Sequence, residues 1–257
     1  MKQLPPRAGA VPRIYVDRPL ATGDTLELPT AQSRHLQVLR LQPGDAFVAF
    51  NGRGGDWAAR VVQMGRSAVD IVVEDHRPLE RELHRHVTLA FGMPANERMD
   101  TLVEKATELG VGTLQPLVCE RSVLRLVGER AEKRLSHWQG VAVAASEQSG
   151  RTRLPLIGPV QPLRAWLDER RAAPRDAARR LVLSPGAATS WHTAAGDAAT
   201  PLVVLSGPEG GLSASEEEAA RHSGFTAVSL GPRVLRADTA PLAVLAWCGL
   251  CVTGGGP

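Results

Sequence analysis

The stretch LVVLSGPEGGLS, Leu202 to Ser213, leads from an apolar run into a turn that is rich in glycine and proline. Four consecutive apolar residues predict a buried strand, and the turn leaves the backbone beyond it nearly bare of side chains. Glycine permits positive φ, but it also lets a ligand or another chain segment approach the main chain closely. The stretch therefore predicts either a tight turn or a binding loop at the end of a buried strand.

Strand and helix patterns alternate on both sides of this stretch, from about residue 84 onward. The strands are apolar on both faces, and the helix after the glycine-rich turn opens with a capping box from Ser213 to Glu216. This alternation predicts a mostly parallel sheet with helices on both faces, in which ligands bind at the carboxyl ends of the strands. The predicted strands are VTLAFGM, TLQPLV, LPLIGPV, RLVLS, LVVLS and TAVSLG.

Three glycine- or proline-bearing loops follow predicted strands: LSPGA (Leu183–Ala187), SGPEGG (Ser206–Gly211) and LGPRVLR (Leu230–Arg236). Exposed backbone groups beside leucine side chains suit a flat heteroaromatic ligand that is held by main-chain hydrogen bonds. The alternative is that the loops are merely tight turns between strands and helices. Three such loops in one block favour a binding site.

The amino-terminal part, from Pro12 to about residue 75, has a different pattern. Five short strands with turn formers between them predict a small barrel, interrupted by one helix over Thr30–Arg40. The strands are RIYVD, TLELP, DAFVAF, DWAARVVQM and AVDIVVED. A charged junction, RPLERELHRH, separates this region from the alternating one.

Composition limits the possible classes of protein. The chain has 257 residues, a net charge of +3, and no apolar run long enough for a membrane span or a signal peptide, so we expect a cytoplasmic protein of one or two domains. Three cysteines exclude a disulfide framework, and Cys248 and Cys251 lie in an apolar helical pattern that favours buried thiols over a redox or metal site. The basic residues are nearly all arginine, which fits either codon bias or phosphate binding.

Common catalytic and nucleotide motifs are absent. No P-loop, no G-x-G-x-x-G after the first strand of a β-α-β unit, and no G-x-S-x-G elbow occurs. H-E-x-x-H and clustered His or Cys residues are also missing, so no metal is predicted.

The motifs SGPEGGLSASE and LGPRVLRADTAPLAVLAW together resemble the C-terminal signature of the ribosomal RNA small subunit methyltransferase E (RsmE) family, within the SPOUT superfamily. EKATELGV (Glu104–Val111), CERS (Cys119–Ser122) and AASEQSGR (Ala144–Arg151) extend the resemblance, as do PRIYVD and HLQVLRLQPGD near the amino end. One position departs from the family: Asp238 stands where a glutamate is usual.

The resemblance implies an α/β protein with a PUA-like RNA-binding β-barrel over residues 12–80 and a SPOUT methyltransferase domain over residues 84–254. It implies a deep trefoil knot, a homodimer with the site near the subunit interface, and S-adenosylmethionine as the cofactor. The implied reaction is methylation of N3 of a uridine in 16S ribosomal RNA, either as RNA or in the assembled small subunit, without metal or membrane. A non-catalytic RNA-binding or ribosome-assembly module on the same fold is the alternative, and an enzyme with another cofactor is a third reading.

The implied reaction assigns roles to residues of the three loops. The N3–H of uridine is mostly protonated near neutral pH, so a base or a cation must assist its loss. Arg236 is the candidate for stabilising the uridinate, and Asp238 or Glu209 for orienting Arg236 or taking the proton. The alternatives are that Asp238 caps the last helix and that Glu209 braces its own loop. The predicted cofactor-binding residues are Leu183, Ser184, Pro185, Leu205, Ser206, Gly207, Pro208, Gly210, Gly211, Leu230, Gly231, Arg233, Val234, Leu235, Thr239 and Ala240.

Six basic residues are candidates for RNA binding. In the predicted barrel, Arg13, Arg34, His35 and Arg40 are candidates for phosphate contacts, with a solvated surface as the alternative. The resemblance places Arg121 and Arg151 near an RNA-facing cleft, with structural ion pairs as their alternative.

Overall fold

A computed structural model describes residues 11–172 and 177–250, apart from the side chain of Asn96. These residues form two compact units. The first contains residues 11–82 together with Ser146–Leu154, and the second contains Leu83–Ala145 together with the rest of the described chain. No helix in the described ranges is long and apolar enough to cross a membrane. The last four residues of the predicted 84–254 domain, Cys251 among them, lie outside the described residues.

The first unit is built on a five-stranded sheet in the order β1-β3-β4-β5-β2. Every pairing is antiparallel except that of β1 with β3. Alternating side chains of the strands, among them Phe47, Val61 and Ile71, are buried and form the core of the unit. The elements are β1 (Arg13–Tyr15), β2 (Thr25–Leu28), α1 (Thr30–Val38), β3 (Ala46–Phe50), β4 (Asp56–Met64) and β5 (Val69–Arg77).

The second unit alternates strands and helices. Its elements are β6 (Val87–Gly92), α2 (Asn96–Glu108), β7 (Thr113–Val118), α3 (Gly128–Ser149), β8 (Leu156–Ile157), β9 (Gln161–Pro162), α4 (Leu163–Ala172), β10 (Arg179–Leu183), α5 (Trp191–Ala194), β11 (Leu202–Ser206), α6 (Ala214–His222), β12 (Thr226–Val228) and α7 (Thr239–Leu250). The last turn of α3 is counted with the first unit.

All strand pairings in the second unit are parallel, in the order β12-β10-β11-β6-β7-β8, with β9 paired to β7. The run LVVLS forms β11, which lies between β10 and β6 and is buried at all five positions. One core cluster contains Leu89 and Val204, and another contains Ala90 and Leu205. The prediction of an α/β protein with a mostly parallel sheet in its second part is confirmed.

Several predicted elements differ in extent. LPLIGPV contributes only the two-residue strand β8, and the polar connector after β10 contains the short helix α5. The last helix begins at Thr239 rather than after Pro241, so Pro241 occupies the first turn, where its missing N–H costs no helical hydrogen bond. Cys248 is buried in this helix, as the apolar pattern predicts.

Candidate cofactor-binding site and RNA-contacting residues

The three bare loops meet in one cavity of about 550 Å³ in the second unit. They follow β10, β11 and β12, which are neighbours in the sheet, so the carboxyl ends of three parallel strands face the same space. The volume lies within the range that is usual for small-molecule sites. The structure thus brings the three loops together at one edge of the sheet.

Most of the predicted cofactor-binding residues line this cavity. They are Leu183, Ser184, Pro185, Ser206, Gly207, Pro208, Gly210, Gly211, Leu230, Arg233, Val234, Leu235 and Ala240. Leu205, Gly231 and Thr239 are not among the lining residues. Leu205 points into the core because successive side chains of a strand face opposite sides of the sheet, and it is fully buried on β11.

Sequence reasoning missed five residues that line the cavity: Arg98, Leu212, Glu217, Val228 and Ala237. Arg98 lies in the first turn of α2, just beyond the end of β6. The rule that parallel strands present ligands to their carboxyl ends offers a signal for Arg98, since β6 is the neighbour of β11. Glu217 lies on α6, and its Oε1 accepts a hydrogen bond from the Ser184 hydroxyl at 3.3 Å.

The glycines of the loop after β11 are required for different reasons. A Cβ on Gly207 would lie 2.7 Å from the backbone nitrogen of Leu212, so the loop folds back on itself only with glycine there. Gly211 has φ of +69°, a conformation that residues with a side chain rarely adopt. Nothing lies within 4 Å of the place that a Cβ on Gly211 would occupy. The bare turn is therefore both a tight turn and part of a cavity wall.

Gly92, at the end of β6, lets the loop after β11 pack closely against the β6 backbone. A Cβ on Gly92 would lie 2.6 Å from the nitrogen of Pro208 and 2.9 Å from the Cys119 sulfur. Burial and the nearby Glu216 carboxylate raise the pKa of the Cys119 thiol to about 12, so the thiol stays protonated and packs against its neighbours.

Glu209 is occupied by contacts with α2. Its Oε1 accepts a hydrogen bond from the backbone N–H of Ala95 at 3.0 Å and lies 3.7 Å from the Arg98 guanidinium. Ala95 is the N-cap of α2 and has no side-chain cap of its own, so the carboxylate of Glu209 satisfies one of the helix's unpaired N–H groups. This geometry favours the alternative that Glu209 braces its loop.

Arg236 lines the cavity, and its exposed guanidinium has no hydrogen-bond or ion-pair partner within residues 11–172 and 177–250. Its carbonyl oxygen accepts hydrogen bonds from the N–H groups of Thr239 and Ala240, both at 3.0 Å, at the start of α7. Within the described part of the chain, the Asp238 side chain makes no hydrogen bond to the N–H groups of α7, and its buried Oδ1 has no hydrogen-bond partner. The side chain of Asp238 is not part of the cavity wall.

Arg13 and Arg151 lie in an ion-pair network of the first unit. The Arg13 guanidinium is 2.6 Å from the Asp56 carboxylate and also donates to the carbonyl oxygens of Ser146 and Arg151, at 2.9 and 3.0 Å. Arg151 is 4% exposed and is bound to the Glu82 carboxylate. Buried charges of this kind require their partners, so the geometry favours a structural role for both arginines over an RNA contact.

Arg34 and Arg40 are exposed, and neither side chain has a partner in the described part of the chain. Arg40 follows α1 with φ of +59°, and its N–H donates to the carbonyl of Gln37 at 3.0 Å, as in a Schellman motif. Glycine is the usual residue at that position, because the left-handed conformation costs other residues about 1–2 kcal/mol. His35 is half-buried and lies 3.6 Å from the Glu147 carboxylate. Arg121 donates to backbone carbonyls of the loop after β11.

Comparisons with known proteins agree with this architecture. A model described as an RNA methyltransferase domain matches residues 81–249, and one described as an RNA methyltransferase PUA domain matches residues 28–74. A ribosomal RNA small subunit methyltransferase E from a Synechocystis species is 34% identical over 86% of this chain and 72% of its own length.

Two similar solved structures contain S-adenosylmethionine. The methyltransferase E from Neisseria gonorrhoeae is 34% identical, with a TM-score of 0.84 over 92% of this chain and 96% of its own. A Legionella pneumophila protein is 29% identical, with the same TM-score over 93% of this chain and 97% of its own. Together with the matched domains, these likenesses show a PUA-like first unit and an RNA methyltransferase domain in the second unit. The chain therefore belongs to the ribosomal RNA small subunit methyltransferase E family.

Proposed function

We propose that this protein transfers a methyl group from S-adenosylmethionine to N3 of a uridine in 16S ribosomal RNA. The observation that carries the proposal is the cavity at the ends of β10, β11 and β12, lined by three loops with few bulky side chains. Relatives with the same fold were solved with S-adenosylmethionine bound, and the family name specifies small-subunit ribosomal RNA.

The residues of the cavity fit this cofactor. Leu183, Leu230 and Leu235 supply apolar walls for a purine ring, and the loop after β11 supplies backbone donors and acceptors with open space beside Gly211. When bound, the cofactor supplies an electrophilic methyl group on its sulfonium. The task of this chain is to hold the uridine in line and to stabilise the negative charge that develops as N3 loses its proton.

Arg236 is our candidate for charge stabilisation, because its guanidinium lies at the cavity and forms no ion pair with any described residue. Asp238 is our candidate for proton acceptor, since its buried Oδ1 has no hydrogen-bond partner among the described residues. Ala237 lines the cavity but Asp238 does not, so this role requires the segment to shift when RNA binds. Glu209 is a weaker candidate for base because Ala95 and Arg98 already contact its carboxylate.

The first unit is proposed to bind RNA through Arg34 and Arg40, which are exposed and unpaired among the described residues. Residues 12–80 would then supply substrate affinity, and residues 84–254 the chemistry. A homodimer, a trefoil knot, the assembled small subunit as substrate and a location in the cytoplasm are parts of the same proposal. Analytical ultracentrifugation and methylation of naked RNA against assembled subunits test the first and third of these.

The direct experiment compares Arg236→Ala with Arg233→Ala, two substitutions in the same loop that each remove an exposed arginine with no ion pair in the described ranges. We expect Arg236→Ala to lower the single-turnover methylation rate at saturating cofactor by on the order of a hundredfold, with little change in cofactor affinity. Arg233→Ala should instead weaken cofactor binding, measured by calorimetry. Equal loss of binding and rate in Arg236→Ala would make Arg236 structural. Cofactor binding by the parent without any transfer to RNA would favour the non-catalytic alternative.

A further inference from the structure

The cofactor loop, defined here as residues 207–212, is attached to the segment that follows β7. Nη1 of Arg121 donates to the carbonyl oxygen of Gly210 at 3.0 Å and lies 3.4 Å from that of Leu212. A Cβ on Gly210 would lie 3.0 Å from the Cβ of Arg121. The side chain of Arg121 therefore packs on Gly210 and binds both carbonyls near the end of the loop.

The segment that carries Arg121 is itself anchored to the start of α6. The carboxylate of Glu216, 2% exposed, accepts the N–H of Glu120 at 2.8 Å through Oε1 and the N–H of Ser213 at 2.9 Å through Oε2. The Ser122 hydroxyl accepts the N–H of Cys119 at 3.0 Å and closes the turn. Both flanks of Arg121 are thus held in place, and this restricts where its guanidinium can reach.

We propose that Arg121 is a positioning residue that holds the cofactor loop in its binding shape before the cofactor arrives. A loop that is already ordered loses less conformational entropy on binding, so its affinity is higher. Hydrogen bonds from a guanidinium to carbonyl oxygens are stronger than those between neutral groups, which suits this task. The sequence resemblance suggested that Arg121 contacts RNA, but its two hydrogen bonds to carbonyl oxygens favour a role in holding the cofactor loop. This inference rests on the proposed function of the same cavity.

The test measures cofactor affinity, RNA affinity and rate separately in Arg121→Ala, Arg121→Lys and Arg171→Ala. Arg171 is a matched control, because it is an exposed arginine that forms an ion pair with Asp168 on its own helix. We expect Arg121→Ala to raise the Kd for S-adenosylmethionine about tenfold to a hundredfold, the range for a hydrogen bond to a charged group. RNA affinity should stay within about twofold of the control, and most of the rate should return at saturating cofactor. Arg121→Lys should restore part of the affinity, since it keeps the charge but loses the fork.

A second variant reaches the same contact from the other side. Gly210→Ala places a methyl group against the Arg121 side chain, so it should also raise the cofactor Kd. Alanine at position 121 keeps the Cβ that lies 3.0 Å away, so the close contact is removed only by Arg121→Gly. In the double variant of Gly210→Ala with Arg121→Gly, the two effects should combine to less than their sum. Additive effects, or a loss of RNA affinity with unchanged cofactor Kd, would overturn the positioning role. Failure of the parent protein to bind S-adenosylmethionine would instead overturn the proposed function, so the two failures are distinguishable.

Discussion

Glu147 lies in the last turn of α3, within the first unit. Burial raises the pKa of its carboxyl group, although the hydrogen bond from the N–H of Tyr15 and the charges of His35 and Arg13 act in the opposite direction. The sequence offered Glu147 only as one letter of the AASEQSGR motif. Its contacts with Tyr15 and His35 join residues more than a hundred positions apart, which no local pattern encodes.

Replacing this carboxyl group should change how stability depends on pH. Because the pKa of Glu147 is raised on folding, the native state holds the proton more tightly than the unfolded chain does. Protonation of Glu147 therefore contributes to the stability of the native state at low pH, and this contribution is lost as pH rises through the native pKa. We expect Glu147→Gln to unfold at a temperature similar to that of the parent near about pH 4 and to become relatively more stable toward about pH 8. Thermal unfolding across this series is the measurement, with the exposed Glu132→Gln on the same helix as the control. A difference that does not vary with pH would contradict the assignment.

The local sequence of helix α6 predicts its capping hydrogen bonds but not its long-range contact with Glu120. The capping box from Ser213 to Glu216 is confirmed: the Ser213 hydroxyl accepts the N–H of Glu216, and the Glu216 carboxylate accepts that of Ser213. The second oxygen of Glu216 binds the N–H of Glu120, which is 96 residues away in the chain. Capping chemistry follows from spacing, whereas the bond to Glu120 depends on how β7 and β11 are placed in the sheet.

Glu216→Gln should weaken the attachment of α6 to the segment after β7, which depends on the hydrogen bond between Glu216 and Glu120. An amide has one acceptor oxygen and an NH₂ group, so one of the two backbone N–H groups would face a donor instead of an acceptor. We expect a loss of about 1–3 kcal/mol in the free energy of unfolding, the usual cost of leaving a buried polar group unsatisfied. Urea denaturation measures it, and Glu218→Gln, exposed on the same helix, is the matched control. Equal stability of the two variants would show that the contact to Glu120 contributes nothing.

At the scale of the whole molecule, the location of each charge says more about phosphate binding than the net charge does. The prediction that a basic chain binds phosphate did not separate arginines that are exposed, such as Arg34 and Arg40, from those that hold the fold, such as Arg13 and Arg151. The separation depends on pairings such as that of Arg13 with the carbonyl of Arg151, 138 residues apart. The glycine-rich loops, in contrast, were predicted well because strand ends and turn residues are local signals.

RNA binding should reveal this difference through its salt dependence. We expect Arg34→Ala and Arg40→Ala each to reduce the slope of log K against log salt by about 0.7–0.9, since one phosphate contact fewer releases one counterion fewer. Arg13→Ala should lower thermal stability and leave the slope unchanged, because its guanidinium is bound to Asp56. Filter binding to 16S RNA at several salt concentrations is the measurement. Unchanged slopes for both Arg34 and Arg40 variants would place the RNA-binding surface elsewhere.

The return of Ser146–Leu154 to the first unit has a consequence for synthesis on the ribosome. Residues 11–82 emerge first, yet Arg13 and Arg81 find their carbonyl partners, at Ser146, Gly150 and Arg151, only after Leu83–Ala145 has been translated. A nascent chain that has just passed Glu82 therefore carries the strands of the five-stranded sheet while Arg13 and Arg81 still lack these carbonyl partners. The first unit is the first to be synthesised, but it is complete only after Ser146–Leu154 has been translated.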